Sequence, residues 1–237
     1  TLPSHITNIA RMFKGSNRFN QDLSGWDVSN IVDAQDAFTE CTAFNGNLSG
    51  WVLTSLRQAT RMFSKCTSFN QPIGDWKLSD LRIAYDMFLQ CTSFNQDLSD
   101  WNVSTVFNFE GMFYGCTAFN KPLNSWNMSA ASSLRNMFRE ASSFNQPLDG
   151  WDVSGVSNMG SMFEWATSFN QDISMWDTSG ITRSAGMESM FANALAFNQD
   201  LSAWNVLVIP SRPYEFDSGT TATWTLPKPI WGTTGTP

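Results

Sequence analysis

A chain of 237 residues with 42% hydrophobic residues can bury a sizeable core, while 14 Lys and Arg against 21 Asp and Glu leave a net charge of −7. That balance excludes a surface that tracks nucleic-acid phosphates and disfavours anionic membranes as partners. No apolar run approaches the roughly 18 residues of a membrane span, so direct membrane insertion is not expected, and no charged start followed by an apolar stretch marks a signal peptide.

The chain starts at Thr1 in mid-repeat, which reads as a piece of a longer product. From there a 25-residue unit recurs. Its Trp column is Trp26, Trp51, Trp76, Trp101, Trp126, Trp151, Trp176 and Trp204, a step of 25 broken once by a step of 28. A Phe-Asn pair keeps the same step from Phe19-Asn20 through Phe44-Asn45 to Phe197-Asn198. A fixed period of this length is the signature of stacked coils that contact only their neighbours. The eleven Trp and nineteen Phe are therefore repeated core positions.

Within one coil, Trp26-Asp27-Val28 alternates apolar, polar, apolar, which predicts a short strand. The next column is hydroxyl throughout, Ser4, Ser29, Thr54, Ser79, Ser104, Ser129, Ser154 and Ser179, as expected of helix N-caps. Ile31, Ala34, Phe38 and Cys41 then follow at steps of three and four, predicting a helix of about ten residues that ends in a Met-Phe pair such as Met62-Phe63. The unvarying Asn column predicts a buried ladder of side-chain amides bonding the backbone of the next coil. Leu48 and its equivalents, always Leu or Ile, close the coil.

The fold expected is an α/β solenoid of the leucine-rich-repeat kind: about eight coils over 1–206, each with one short strand and one short helix, and a rod about 40 Å long at roughly 4.8 Å per coil. From Leu207 the pattern stops, and 207–237, with Tyr214, Phe216, Trp224 and Trp231 among Ser, Thr, Pro and Gly, is expected to form an extended C-terminal cap ending in a flexible tail. The N-terminal end has no comparable cover.

The pattern W-x-V-S-x-V-x-x-M-x-x-M-F-x-x-C-T-x-F-N-Q-x-L-S-x-W resembles the BspA-like leucine-rich-repeat surface proteins, also catalogued as a domain of unknown function common in mycoplasma lipoproteins. The resemblance covers residues 4 to about 206. It implies a place at or outside the cell surface and a role in adhesion or protein interaction, and it supplies no catalytic residues. Departures are Asp36-Ala37-Phe38, where the Met is missing, and Thr182 to Met187, where three extra residues enter.

Enzymatic chemistry has little support: His5 is the one histidine, no Cys pair has metal-ligand spacing, and no phosphate-binding loop occurs, so neither cofactor nor metal is expected. Cys41, Cys66, Cys91 and Cys116 share a column with Ser16, Ala141, Ala166 and Ala194, which points to small buried packing residues with free thiols; disulfides between coils are the alternative. For binding, the outward strand positions offer Asp27, Asn102, Asn127, Asp152 and Asp177, with Asp75 and Asp100 two residues ahead of that column, a strip suited to a protein or surface glycan or else simply solvated. No cluster reaches the six oxygens calcium prefers. On the helix face, Ile83, Tyr85, Leu89, Phe107, Tyr114 and Trp165 stand where other coils are polar, a candidate interface with a partner or a second copy. Asn47, Asn102 and Asn127 head Asn-x-Ser triplets with the form of glycosylation acceptors. The expected function is non-catalytic interaction or adhesion outside the cell or on its surface. The competing expectation is a structural subunit that polymerises through its open N-terminal end and the helix-face patch.

Overall fold

The computed structural model describes residues 2–3, 5–220 and 222–235. Ser4, the first member of the hydroxyl column, and Thr236 and Pro237 of the tail lie outside the described residues.

The coils stack, and three columns of rings form the core. Phe38, Phe63, Phe88, Phe113, Phe138 and Phe163 lie parallel at centroid separations of 5.3–5.8 Å. Phe44, Phe69, Phe94, Phe119, Phe144 and Phe169 repeat at 5.8–6.0 Å. The Trp column runs alongside, with Trp51 and Trp76 at 5.8 Å and Trp151 and Trp176 at 6.4 Å. Nearly all these rings are fully buried. Each step exceeds the roughly 4.8 Å between paired strands.

The expectation of one strand and one helix per coil is wrong. Among the described residues there is no strand of two residues or more, and one helical turn, the 3-10 segment Ser184–Met187. Trp26-Asp27-Val28 and its equivalents pair with no neighbouring backbone as strands. Strand-type pairing among the described residues is confined to single parallel bridges, Asn8 to Asp33 to Gln58 to Ile83 to Asn108 to Ser133 to Asn158. N–H groups that donate to the next coil alternate with N–H groups that close turns within their own coil, so no run of residues forms a strand and one bridge per coil remains.

Where a helix was expected, the chain makes successive β-turns. The N–H groups of Ala37, Thr39 and Cys41 donate to the carbonyls three residues back, Ala34, Asp36 and Phe38, at 3.1, 3.2 and 2.9 Å. Those of Ala34, Asp36, Phe38 and Glu40 leave the coil and donate to Gln58, Thr60, Met62 and Ser64 of the next at 2.8–2.9 Å. An α-helix would direct both sets to the residue four back. Two positions per coil are left-handed, as at Asp36 (φ 56°) and Glu40 (φ 65°), Arg61 and Lys65, Asp86 and Gln90, and Gly111 and Gly115. Left-handed backbone costs an L-residue about 1–2 kcal/mol, and here the inter-coil bonds offset it. Inward residues at steps of three and four are produced by paired turns as readily as by a helix.

The hydroxyl column caps no helix. The Ser29 N–H and hydroxyl both donate to Asp27 Oδ1, at 3.1 and 2.7 Å. The Asn ladder is present: each Asn N–H donates to the Oδ1 one coil back, from Asn45 to Asn20 at 2.7 Å through Asn170 to Asn145 at 2.9 Å. Its members are half-buried or exposed, so the ladder runs along the surface. Trp Nε1–H bonds tie the other side together, for example Trp101 to Ile73 O at 2.8 Å and Trp126 to Leu98 O at 2.9 Å. Trp76 Nε1, by contrast, is buried with no partner among the described residues.

The C-terminal cap is not extended. Residues 213–219 repeat the paired turns, with Glu215 (φ 51°) and Gly219 (φ 81°) left-handed, and accept N–H bonds from Ser189, Phe191 and Asn193 through Tyr214, Phe216 and Ser218 at 2.7–3.0 Å. Rings then turn edge-on: Trp224 meets Phe191 at 73° and Phe197 at 86°, and Trp231 meets Phe216 at 83°. Asp217, in the column that held Phe191, is buried and ion-paired to Arg212 and Lys228. The Asn ladder ends where the Thr225 and Leu226 N–H groups both donate to Asn198 Oδ1, at 2.7 and 3.0 Å.

Candidate functional sites on two faces of the stack

The Trp side carries the residues singled out for binding, and the structure gives most of them local work. Asp27, Asn102, Asn127, Asp152 and Asp177 each accept, through Oδ1, the N–H of the residue two ahead at 2.9–3.2 Å. These are Asx turns, in which the side chain holds its own backbone bend. The Ser29 and Ser154 hydroxyls, helped by their N–H groups, hold the Asp27 and Asp152 carboxyls below their ordinary range. Asp75 and Asp100 are exposed and free of such bonds. In two adjacent coils the turn-holding residue is absent and the column carries Val52 and Lys77. A groove of about 220 Å³ lies there, lined by Ser49, Gly50, Trp51, Val52, Pro72, Asp75, Trp76 and Lys77. Of the acidic strip proposed from sequence, it takes in Asp75 alone.

The Asn-x-Ser triplets overlap this architecture. Asn102 and Asn127 are exposed, with Oδ1 occupied in Asx turns. Asn47 is half-buried; its Oδ1 accepts the Ser49 N–H at 2.9 Å, and its side chain also bonds Asp22.

The opposite face, expected to be helical, consists of the paired turns. Tyr85 and Leu89 share a coil and Tyr114 follows Leu89 one coil on; all three are half-buried, as is Ile83, a member of the bridge row. Phe107 and Trp165 are exposed, but Trp165 stands two coils beyond Tyr114. The six do not form one continuous strip. Tyr114 is held in a polar setting, its hydroxyl 3.3 Å from Glu140 Oε1 and the Arg139 guanidinium 5.3 Å from its ring centre.

Charge is concentrated along the left-handed column Arg11, Asp36, Arg61 and Asp86. Asp36 is fully buried and receives Arg61 Nε at 2.8 Å and Nη2 at 3.0 Å. Arg61 thereby holds its carboxyl far below the usual range. Asp86, half-buried near Glu110, is pushed up to about 6 by burial. The two act oppositely on stability. Asp36 contributes above the unfolded carboxyl pKa near 4, and its contribution is lost as pH falls through and below that value. Asp86, whose folded pKa is raised, contributes below about 4 and loses that contribution as pH rises through about 6. A two-unit shift corresponds to about 3 kcal/mol, which solvent screening at a half-buried site reduces to about 1–2 kcal/mol. Asp86→Asn is therefore expected to stabilise the chain by about 1–2 kcal/mol at pH 7 and by almost nothing at pH 4, as read by urea unfolding. An equal effect at both values would contradict this account.

Cys41, Cys66, Cys91 and Cys116 are free and buried, each Sγ donating to a Phe carbonyl 28 residues earlier at 2.9–3.0 Å. Burial pushes the Cys41 thiol up to about 11 and raises the other three further. They form a packing column without nucleophilic character. Among the described residues no group of three or more His, Cys, Asp or Glu could hold a metal ion, and no helix is long and apolar enough to cross a membrane.

Neither the curated proteins nor the solved structures give a match to this chain. A family profile does: the one described as "Mycoplasma protein of unknown function, DUF285" matches residues 3–93, 73–171 and 125–224. These overlapping matches together run from residue 3 to residue 224, the full stack of coils, and the chain belongs to that family.

Proposed function

We propose that the chain is a non-catalytic recognition protein, acting outside the cell or on its surface, that binds a protein or a glycan through the Trp side of its stack. The resemblance to BspA-like surface proteins supports this place and role. The observation that carries the reading is the groove between the coils of Trp51 and Trp76. Val52 and Lys77, the adjacent members of the column that lack a turn-holding side chain, open it. Elsewhere on that column the Asx side chain holds its own backbone, which suits a scaffold; here an exposed Val, a cation and Asp75 are left to meet a partner.

The test is a screen of surface glycans and surface proteins, followed by two paired variants. Restoring the scaffold residue with Val52→Asn and Lys77→Asn is expected to weaken the captured ligand by 10-fold or more, while Asp152→Ala with Asp177→Ala changes binding less than 3-fold, on the scale of a few lost contacts. Binding indifferent to the first pair, or no saturable binding in the screen, would overturn the reading.

A second reading, a structural subunit, is favoured by one feature. Phe107 and Trp165 are large apolar side chains left exposed on the paired-turn face. Mass that grows with concentration in light scattering, and is reduced by Phe107→Glu with Trp165→Glu, would favour it over the recognition module.

A further inference from the structure

The ladder breaks at one place, and the break forms a second groove. In regular coils one carbonyl accepts two N–H groups from the next coil: Val32 O takes those of Arg57 and Gln58 at 2.9 and 3.2 Å, and Arg57 O those of Arg82 and Ile83 at 3.0 and 3.2 Å. The series continues through Ser157 N–H to Ser132 O at 3.0 Å and stops there. The three additional residues carry 182–185 away from the stack, and pairing resumes out of step, Met159 N–H reaching Gly186 O at 2.7 Å. Ser157 O accepts no backbone N–H, and the bridge row ends at Asn158.

The gap is a groove of about 410 Å³ lined by Ser157, Asn158, Thr182, Arg183, Ala185 and Gly186, within the usual range for small-ligand sites. Its groups are complementary to a polyol that carries one negative charge. Arg183 is exposed and, like Arg18, has no acidic partner among the described residues, whereas the other seven arginines each pair with a carboxylate. The Thr182 hydroxyl is exposed and has no hydrogen bond among the described residues. Asn158 Oδ1 accepts the Gly160 N–H at 3.0 Å, which leaves its amide N–H groups to donate. Ser157 O supplies an acceptor. No carboxylate lines the groove. A side chain at 186 would close it: a Cβ there would fall 2.7 Å from Ser157 O and 2.6 Å from Ile181 Cγ2.

We propose that this groove binds an anionic sugar, with Arg183 on its carboxylate or sulfate oxyanion and Thr182, Asn158 and Ser157 O on ring hydroxyls. The site lies on the ladder side of the stack and stands independently of the Trp-side groove. A guanidinium meets two oxygens of a carboxylate or a sulfate with two parallel charge-assisted bonds, the strong kind of hydrogen bond.

The experiment titrates the purified chain with galacturonic acid, galactose-6-sulfate and neutral galactobiose by calorimetry. Saturable binding of at least one anionic probe, 10-fold or more tighter than galactobiose, is expected, and which one binds more tightly identifies carboxylate or sulfate as the source. Arg183→Gln, an exposed substitution that leaves the fold intact, is expected to weaken that binding 10-fold or more, and Thr182→Val several-fold, with near-ultraviolet circular dichroism unchanged. No saturable binding of either anionic probe, galactobiose binding equally well, or an unaffected Arg183→Gln would each overturn the proposal. Because Val52 and Lys77 lie in other coils, their double variant should leave this binding intact.

Discussion

Phe113→Ala is expected to lower the stability of the chain by about 4 kcal/mol, the middle of the range for removing a fully buried aromatic side chain. Phe113 is fully buried and stacks with Phe88 at 5.8 Å and Phe138 at 5.7 Å along its column, and with Phe119 at 4.2 Å across to the next. It also touches Trp126, at 6.3 Å between centroids. Truncation interrupts two ring columns in the middle of the stack, where both flanking coils are held by backbone bonds and cannot collapse into the space. Because coils contact only neighbours, the deletion also lowers the coupling between the two halves. Denaturant unfolding is therefore expected to broaden or split as well as shift. A loss below about 1.5 kcal/mol, with a single sharp transition, would mean that ring stacking does not organise this core.

Gly46→Gln is expected to destabilise by about 2–3 kcal/mol, as overpacking does, although it restores the residue that most other coils carry at this position. Gln21, Gln71, Gln96, Gln146, Gln171 and Gln199 occupy the same column. At Gly46, however, a Cβ would lie 2.0 Å from the Gln21 backbone carbonyl and 2.8 Å from a ring carbon of Phe44. Backbone cannot swing aside as a side-chain tip can, so the first coil must shift away from the second. The neighbouring coil is also where Trp76 Nε1 lacks its carbonyl partner, so the local packing already departs from the repeat. Thermal unfolding of Gly46→Gln and of the milder Gly46→Ala decides the matter. Neutral or stabilising behaviour in both would show that the close approach is not part of the native state.

The period, the ring columns, the Asn ladder and the small Cys position were legible because a repeat averages out local ambiguity. Eight copies of Phe followed by Asn leave few alternatives to a core ring beside a backbone-bonding amide. Local conformation was harder, since Ile31, Ala34, Phe38 and Cys41 have the spacing of a helix face and also that of two linked turns. The discriminating signal was in the positions between the inward residues. Gly111 and Gly115, Asp36, Asp86, Asn136 and Asn193 occupy two columns four residues apart, and Gly, Asn and Asp are the residues that tolerate left-handed backbone. Arg61, Lys65 and Trp165 in the same columns hide the pattern, because inter-coil bonds impose the conformation on residues that do not favour it. The local role of the Trp-side strip was hidden for a related reason. Asp27-Val28-Ser29 and Asn102-Val103-Ser104 have the form of Asx turns, and the first residue of each faces outward while bonding its own backbone. Nothing in a single coil marks the two grooves. Val52, Lys77 and the residues inserted near Thr182 become informative through what the repeated architecture lacks at those points.

The central claim is that the segment before each Cys is a ladder of paired turns between coils. Scalar couplings through hydrogen bonds, measured by NMR between amide nitrogens and carbonyl carbons, test it directly. The account predicts a coupling from Phe88 N to Met112 C′ and from Phe113 N to Met137 C′, across bonds of 3.0 Å to the following coil. Couplings instead from Phe88 to Ala84 and from Phe113 to Phe109, four residues back within the same coil, would establish a helix there and contradict it.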